Sequence, residues 1–249
     1  MYLNTKGLVV RVVPYNDTDA LLSILTPEYG KLTVKARGLR RKNSPLIAPC
    51  QLLAYAEFAL FEYRNLYTIN EAHSVELFSP LRKDLQKLSL GSYFAQAAET
   101  MSQEDIPNPE LLSLVLNCLY ALSKLTVSEA MVKAVFELRS ACLAGYCPEL
   151  FGCCRCGCEI PDRFDLSEGR LECSVCRSGE SSGLRMPITP GILDAMRYIC
   201  NCDSKKLFSF TASELTFEQL SHVTESYLST QLERGFSALD FYKSLLIPM

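Results

Sequence analysis

A chain of 249 residues with 48 % hydrophobic and 21 % charged residues has the composition of an ordinary folded protein, with room for one large domain or two to three small ones. No apolar run approaches the roughly 20 residues of a membrane-spanning helix. Residues 1–7 lack the basic-then-apolar layout of a secretory signal, so the chain is expected to remain in the cytoplasm. The formal net charge of −3 neither requires nor excludes a nucleic-acid partner, because a basic face fits within an acidic average.

The first eighty residues read as strands. Residues 7–13, 20–26 and 31–36 are apolar or β-branched runs, separated by the turn-like Tyr15-Asn16-Asp17 and Pro27-Glu28-Tyr29-Gly30. Residues 53–63 and 66–78 alternate apolar and polar side chains, with a tight connection expected at Asn65. Five short strands in this length predict a small closed barrel, since closure removes exposed edges. The size suits an OB-fold, although strand count alone does not choose it over an SH3-like barrel.

From residue 81 to about 146 the period becomes helical. Leu81, Leu85 and Leu88 are expected on one face, and Leu111, Leu114, Val115, Cys118, Leu119 and Leu122 form a wide apolar stripe. Thr126 followed by Glu129 has capping-box spacing and predicts a third helix through Val132, Val135, Phe136 and Leu143, ended by Gly145. Core packing accounts for these stripes. After a turn-rich insert at 147–185, Thr189-Pro190 predicts a capped helix, and Thr216 with Gln219 opens another. The expected organisation is thus α+β and multidomain. It has an N-terminal OB-fold barrel at 1–80 and an all-α domain at 81–249, interrupted by the insert.

Of twelve cysteines, six lie between Cys153 and Cys176. A disulfide framework belongs to short exported chains, so a reduced metal-binding cluster is the better reading. Cys153 with Cys156 and Cys173 with Cys176 make two CxxC knuckles, each able to aim two thiolates at one point. Four such ligands close a tetrahedron around one structural Zn²⁺ and leave no catalytic position. Cys154 and Cys158 stand close enough to substitute; spacing favours Cys153 and Cys156. A thiol-exchange reading of CxxC lacks the βαβ context such motifs occupy.

Between Lys31 and Pro45 there are six basic residues and no acid: Lys31, Lys35, Arg37, Arg40, Arg41 and Lys42. Such a segment binds phosphates through counterion release, and Asn43 and Ser44 add hydrogen-bond donors for phosphate oxygens. Tyr15, Tyr29, Tyr55, Phe58, Phe61, Tyr63 and Tyr67 lie in the same region. Rings of this kind stack single-strand bases, but alternating strand aromatics predict that most of these seven are buried. His73 and His222 stand in different stretches without companions, and phosphate-loop and dinucleotide motifs are lacking. Nothing points to an enzyme or to a small-molecule substrate.

The order of these parts resembles the RecO family of bacterial DNA repair proteins over nearly the whole chain. The resemblance rests on Thr5-Lys6-Gly7-Leu8-Val9-Val10-Arg11 with Tyr15-Asn16-Asp17-Thr18-Asp19, on Leu25-Thr26-Pro27-Glu28-Tyr29-Gly30-Lys31, and on Lys35-Ala36-Arg37-Gly38-Leu39-Arg40-Arg41. Further along it rests on Phe136-Glu137-Leu138-Arg139, Ala144-Gly145-Tyr146-Cys147-Pro148-Glu149-Leu150 and the two cysteine knuckles. Gly38 follows Arg37 where a glycine before the basic run is usual, and Glu168 replaces a second glycine; neither touches a proposed zinc ligand. The resemblance implies an OB-fold, a helical domain and a zinc module that serves stability. It further implies binding to single- and double-stranded DNA and annealing of complementary strands at the nucleoid. The implied partners are RecR and the single-stranded DNA-binding protein, with RecA loaded at gaps. The rival readings are a zinc-ribbon RNA-binding or transcription factor and a CxxC thiol oxidoreductase.

Overall fold

A computed structural model describes residues 2–64, 66–176 and 184–246. Asn65, expected at a strand connection, lies outside the described residues, as do residues 177–183 of the cysteine-bearing insert. Packing divides the chain into two units, Met1–Lys124 with Phe236–Met249, and Leu125–Gly235. No described helix is long and apolar enough to cross a membrane.

The first unit begins with five strands, β1 (Tyr2–Pro14), β2 (Ala20–Thr26), β3 (Gly30–Ala36), β4 (Tyr55–Tyr63) and β5 (Leu66–Glu76). They close into a barrel in the order β1-β2-β3-β5-β4. β1 starts five residues before the expected run because it serves two neighbours: residues 2–8 pair with β4, and residues 8–14 pair with β2. An irregularity between Val9 and Arg11 lets the strand turn from one partner to the other. Gly7 sits at this corner, where an added Cβ would lie 3.1 Å from the Leu25 carbonyl oxygen. Parallel pairing of β3 with β5, Val34 opposite Tyr67 and Lys35 opposite Thr68, closes the barrel. That crossover is the OB-fold arrangement, which the strand count could not select. Val9, Leu22, Ile24, Leu32, Val34, Phe58, Leu60 and Ile69 fill the interior.

Three helices complete this unit: α1 (Leu85–Met101), α2 (Pro109–Lys124) and, near the end of the chain, α6 (Ser237–Leu246). α2 buries the whole stripe expected of it, from Leu111 to Leu122. The expected shared face of Leu81, Leu85 and Leu88 does not form. Leu81 is buried in a separate 3-10 turn at Ser79–Lys83, and Leu85 is exposed. Asp84 explains the break: it is extended, and its carboxylate accepts from the amides of Gln86 and Lys87 as the cap of α1. Gly91 lets α1 approach its neighbours closely, since a Cβ there would meet Leu53 Cδ1 at 3.0 Å and Leu119 Cδ2 at 3.1 Å.

The second unit holds α3 (Glu129–Leu143), α4 (Pro190–Asn201) and α5 (Glu214–Gln231). Thr189 caps α4 as expected, with Pro190 at its first turn. The other two caps fall elsewhere than expected. Ser128, not Thr126, accepts from Met131 N at α3, and Ser213, not Thr216, caps α5 by accepting from Thr216 N. In both cases the serine directly before the first helical residue offers its hydroxyl at the required offset; Thr126 lies too far ahead of α3, and Thr216 lies inside α5. α3 and α5 share a buried ionic cluster. Lys133 Nζ contacts Glu137 at 2.9 Å and Glu225 at 2.8 Å and donates to the Ser221 carbonyl at 3.1 Å, while Thr224 Oγ1 donates to Glu137 at 2.7 Å. Burial pushes the Glu137 carboxyl upward against the opposing pull of Lys133.

Within this unit the insert forms a four-stranded sheet, β6 (Glu149–Cys153), β7 (Arg163–Asp165), β8 (Arg170–Glu172) and β9 (Arg185–Pro187), in the order β6-β8-β7-β9. The β7–β8 turn is made by Asp165, whose carboxylate accepts from Ser167 and Glu168 amides, and by Gly169 at φ +64°.

Candidate metal centre and nucleic-acid interface

Cys153 ends β6, and Cys173 follows directly on β8. These two strands are neighbours, so the two knuckles meet although sixteen residues separate them. The Sγ atoms of Cys153, Cys156, Cys173 and Cys176 all lie within 4.8 Å of one another. Gly157 N donates to Cys153 O at 2.9 Å and Cys176 N to Cys173 O at 3.1 Å, which curls each CxxC into a turn. The separation of Cys156 and Cys173 sulfurs is 3.6 Å. Tetrahedral zinc with bonds of about 2.3 Å places its sulfurs roughly 3.8 Å apart, so the donor set fits this ion. Cys154 and Cys158 fall outside the group; Cys154 N instead bonds Leu171 O.

Backbone amides act most strongly on one thiol of the cluster. Burial raises the Cys153 thiol, but the backbone amides of Cys156, Arg155 and Cys173 outweigh it and bring the pKa down to about 6. Hydrogen bonds with Cys156 and Cys173 push Cys176 up to about 12. The thiol that loses its proton most readily, Cys153, is only 4 % exposed, an arrangement that suits a ligand better than a thiol-exchange nucleophile.

The six basic residues do not act as one group. Lys31 and Lys35 lie on β3 and are half-buried. Lys31 pairs with Glu104 at 3.6 Å, and Thr33 donates to the same carboxylate at 3.2 Å. Lys35 pairs with Asp19 at 3.1 Å and lies 4.7 Å from the Tyr15 ring centre. Arg37, Arg40, Arg41 and Lys42 are exposed on the turns that follow β3. Arg40 Nη1 donates to the Asn16 carbonyl at 2.7 Å, and Arg40 N to Thr18 O at 2.9 Å. Among the described residues no ion pair engages Arg37, Arg41 or Lys42.

Asp19, given no role of its own by the sequence reading, is an organiser of this region. Its carboxylate accepts from Gly38 N at 2.9 Å as well as facing Lys35, and Gly38 sits at φ +67°. The Gly38 amide and the Lys35 ammonium hold the Asp19 carboxyl well below the ordinary carboxylate range. The only signal in sequence was the Asn16-to-Asp19 spacing, in which Asn16 Oδ1 accepts from Thr18 N and Asp19 N.

The aromatic residues differ from expectation. Of the seven, only Phe58 is fully buried; Tyr55 and Tyr67 are half-buried, and Tyr15, Tyr29, Phe61 and Tyr63 are exposed. Leucine, valine and isoleucine fill most of the barrel interior instead. Tyr2, absent from the expected set, is 72 % exposed and pairs with Phe61 at a ring separation of 5.2 Å, because the two residues are direct cross-strand partners. Both rings line a surface cleft of about 600 Å³ together with Arg37, Ser44, Asn70 and His73.

Comparison with known proteins agrees with this arrangement of parts. Residues 1–78 match the family model "Recombination protein O N terminal" and residues 82–240 match "Recombination protein O C terminal". A "DNA repair protein RecO" of Acetivibrio thermocellus is 34 % identical over 246 residues, covering 98 % of this chain and 97 % of that one. Proteins of the same name from Alkaliphilus metalliredigens (29 %, covering 98 % and 100 %) and Heliobacterium modesticaldum (34 %, covering 94 % and 88 %) are similar over comparable lengths.

Proposed function

The chain belongs to the RecO family of DNA repair proteins, and from that premise we propose that it is a recombination mediator rather than an enzyme. In this reading it binds single- and double-stranded DNA through the barrel and anneals complementary strands. Together with RecR it helps RecA to load at gaps coated by the single-stranded DNA-binding protein, in the cytoplasm at the nucleoid.

The observation that carries the reading is the cleft lined both by Arg37, which no ion pair engages among the described residues, and by the exposed Tyr2–Phe61 pair. A cation beside open rings meets both needs of a single strand, since the phosphates are neutralised while bases stack. Arg40, Arg41 and Lys42 extend the positive surface along the same turns. Lys31 and Lys35 act indirectly, because their charges are balanced by Glu104 and Asp19. Annealing breaks no covalent bond; it requires that two repelling backbones be held together until bases pair. Partial neutralisation by these exposed arginines and the lysine supplies this without base-specific contacts to either strand.

Cys153, Cys156, Cys173 and Cys176 would hold one Zn²⁺, which contributes folding energy by joining the two knuckles. With all four positions taken by thiolate there is no room for substrate, so the metal supports the fold and leaves the chemistry of annealing to the barrel.

The test is annealing of two complementary labelled oligonucleotides coated with the single-stranded DNA-binding protein, with and without the full chain. The reading expects acceleration that is suppressed as salt rises. No acceleration by folded, zinc-loaded protein, or a clear preference for RNA strands, would overturn it.

A further inference from the structure

A second group of thiols lies outside the four-cysteine centre. Cys142 is in the last turn of α3, Cys147 follows five residues later, and Cys200 is in the last turn of α4. Their three Sγ atoms lie within 4.8 Å of one another. Cys142 Sγ is 3.1 Å from Cys147 Sγ and 3.8 Å from Cys200 Sγ. From these positions we propose that Cys142, Cys147 and Cys200 form a second metal site, which binds one thiophilic cation of the Zn²⁺ or Cu⁺ kind through three thiolates and leaves a fourth position open.

The backbone is shaped to bring the three sulfurs together. Gly145 adopts φ +93°, a left-handed conformation that reverses the chain at the end of α3. Tyr146 N then donates to Ala141 O at 2.8 Å, and Tyr227 Oη donates to Tyr146 O at 2.9 Å. These bonds fold Cys147 back beside Cys142. Arg139, one turn before Cys142, donates to the carbonyls of Ile199 and Cys200 at 3.4 and 3.0 Å, which fastens the end of α4 to α3.

Charge favours a cation here. Two helix C-termini converge on the site, and each carries a partial negative charge. The Arg139 guanidinium stands close enough to offset part of the negative charge of three thiolates. The 3.8 Å spacing of Cys142 and Cys200 equals that expected between sulfurs around zinc, and the 3.1 Å spacing of Cys142 and Cys147 would have to open to it on binding; soft thiolates select Zn²⁺ and Cu⁺ among common cations.

Binding transfers three S–H protons to solvent and forms three metal–sulfur bonds with no change of oxidation state. A disulfide between two of the three would strand the third, whereas one cation satisfies all of them. Cys202, two residues beyond Cys200, stands outside the group, its Sγ lying 3.7 Å from Ile199 O.

The two sites bracket one strand. Cys147 immediately precedes Pro148 and β6, and β6 ends at Cys153 of the four-cysteine centre. A cation at the second site therefore anchors the base of the insert to α3 and α4.

The experiment loads the reduced full chain with Co²⁺ and, separately, with Zn²⁺, and counts bound metal after exhaustive dialysis. The wild type is expected to retain two ions per chain. Cys147→Ser, at an exposed position that tolerates the change, is expected to retain one and to lose about three-sevenths of the sulfur-to-cobalt charge-transfer intensity, since three of seven thiolates belong to this site. Cys200→Ser should reproduce that loss. Cys156→Ser separates the two sites: it disables the four-cysteine centre and leaves the Cys147-dependent fraction in place. Unchanged stoichiometry and spectrum in both Cys147→Ser and Cys200→Ser would overturn the proposal, whatever happens in Cys156→Ser. A Cys142–Cys147 disulfide in peptide maps of the freshly isolated protein would overturn it in favour of a redox pair.

Discussion

The cysteine-rich insert and the basic segment from Lys31 to Lys42 were both compact signals in sequence, yet folding treated them differently. The four proposed zinc ligands arrive in the structure as one group, with Cys154 and Cys158 left aside. The six basic residues are divided: Lys31 and Lys35 turn to Glu104 and Asp19, and only Arg37, Arg40, Arg41 and Lys42 stay exposed. A CxxC turn converges two sulfurs through bonds within four residues, so its geometry travels with the sequence. A charge acquires its meaning from whatever lies opposite, and the acids opposite Lys31 and Lys35 are 73 and 16 residues away.

This contrast can be broken at several points. The largest effect is expected from the four-cysteine cluster. Cys173→Ser, or a strong chelator, should remove zinc and melt the insert, because zinc-module folding draws on apparent binding energies of about 10–16 kcal/mol. Loss of zinc by mass spectrometry together with loss of the insert's amide protection would be seen; retention of both would mean that the strands stand without the ion. Next in size is the buried Lys133. Lys133→Met leaves Glu137 without its ammonium partner and should destabilise the second unit by roughly 3–5 kcal/mol in denaturant unfolding. An unchanged midpoint would show that the cluster relaxes around a protonated Glu137.

The basic segment should respond more gently and unequally. Arg37→Glu with Arg40→Glu and Arg41→Glu is expected to weaken single-strand binding by about 10- to 100-fold and to lower the log–log salt slope by about 2, given roughly 0.7 counterions per phosphate contact. Lys31→Gln with Lys35→Gln should change affinity by less than about threefold, since exposed phosphates gain little from charges already paired. Equal losses in the two variants, measured by fluorescence titration over a salt series, would restore the six residues to one surface. The smallest effect concerns pH. The Asp19 carboxyl is held below its unfolded value of about 3.9, so its contribution to the loop is complete above that pH and fades only as pH falls through the lower folded value. A carboxyl-carbon NMR titration should find Asp19 still ionised at about pH 3; protonation near 4 would remove it from its role as organiser.

Periodicity located the strands closely: residues 20–26 and 66–78 were expected, and β2 at Ala20–Thr26 and β5 at Leu66–Glu76 are found. It failed where a choice depended on neighbours. Thr126 and Thr216 had capping-box spacing, but Ser128 and Ser213 stood better placed once the helix starts were set. Alternation suggested buried rings, but which face of a strand points inward, and how many rings fit, depends on barrel radius. Phe58 is therefore inside while Phe61, three residues on, is at the surface beside Tyr2.

By itself the sequence determined the order of parts, the grouping of Cys153, Cys156, Cys173 and Cys176 and the place of the exposed arginines, because each is carried by residues adjacent in the chain or by a short repeat. Tertiary structure alone decided the OB topology, since β3 and β5 meet in parallel only when the barrel closes. It alone placed Tyr2 beside Phe61, set Asp19 beneath Gly38, and brought Cys200 within reach of Cys142 and Cys147 from 58 residues away. Backbone dihedrals fix local spacing, whereas contacts between distant segments form only when the whole core has collapsed and the cost of closing the loops between them has been met.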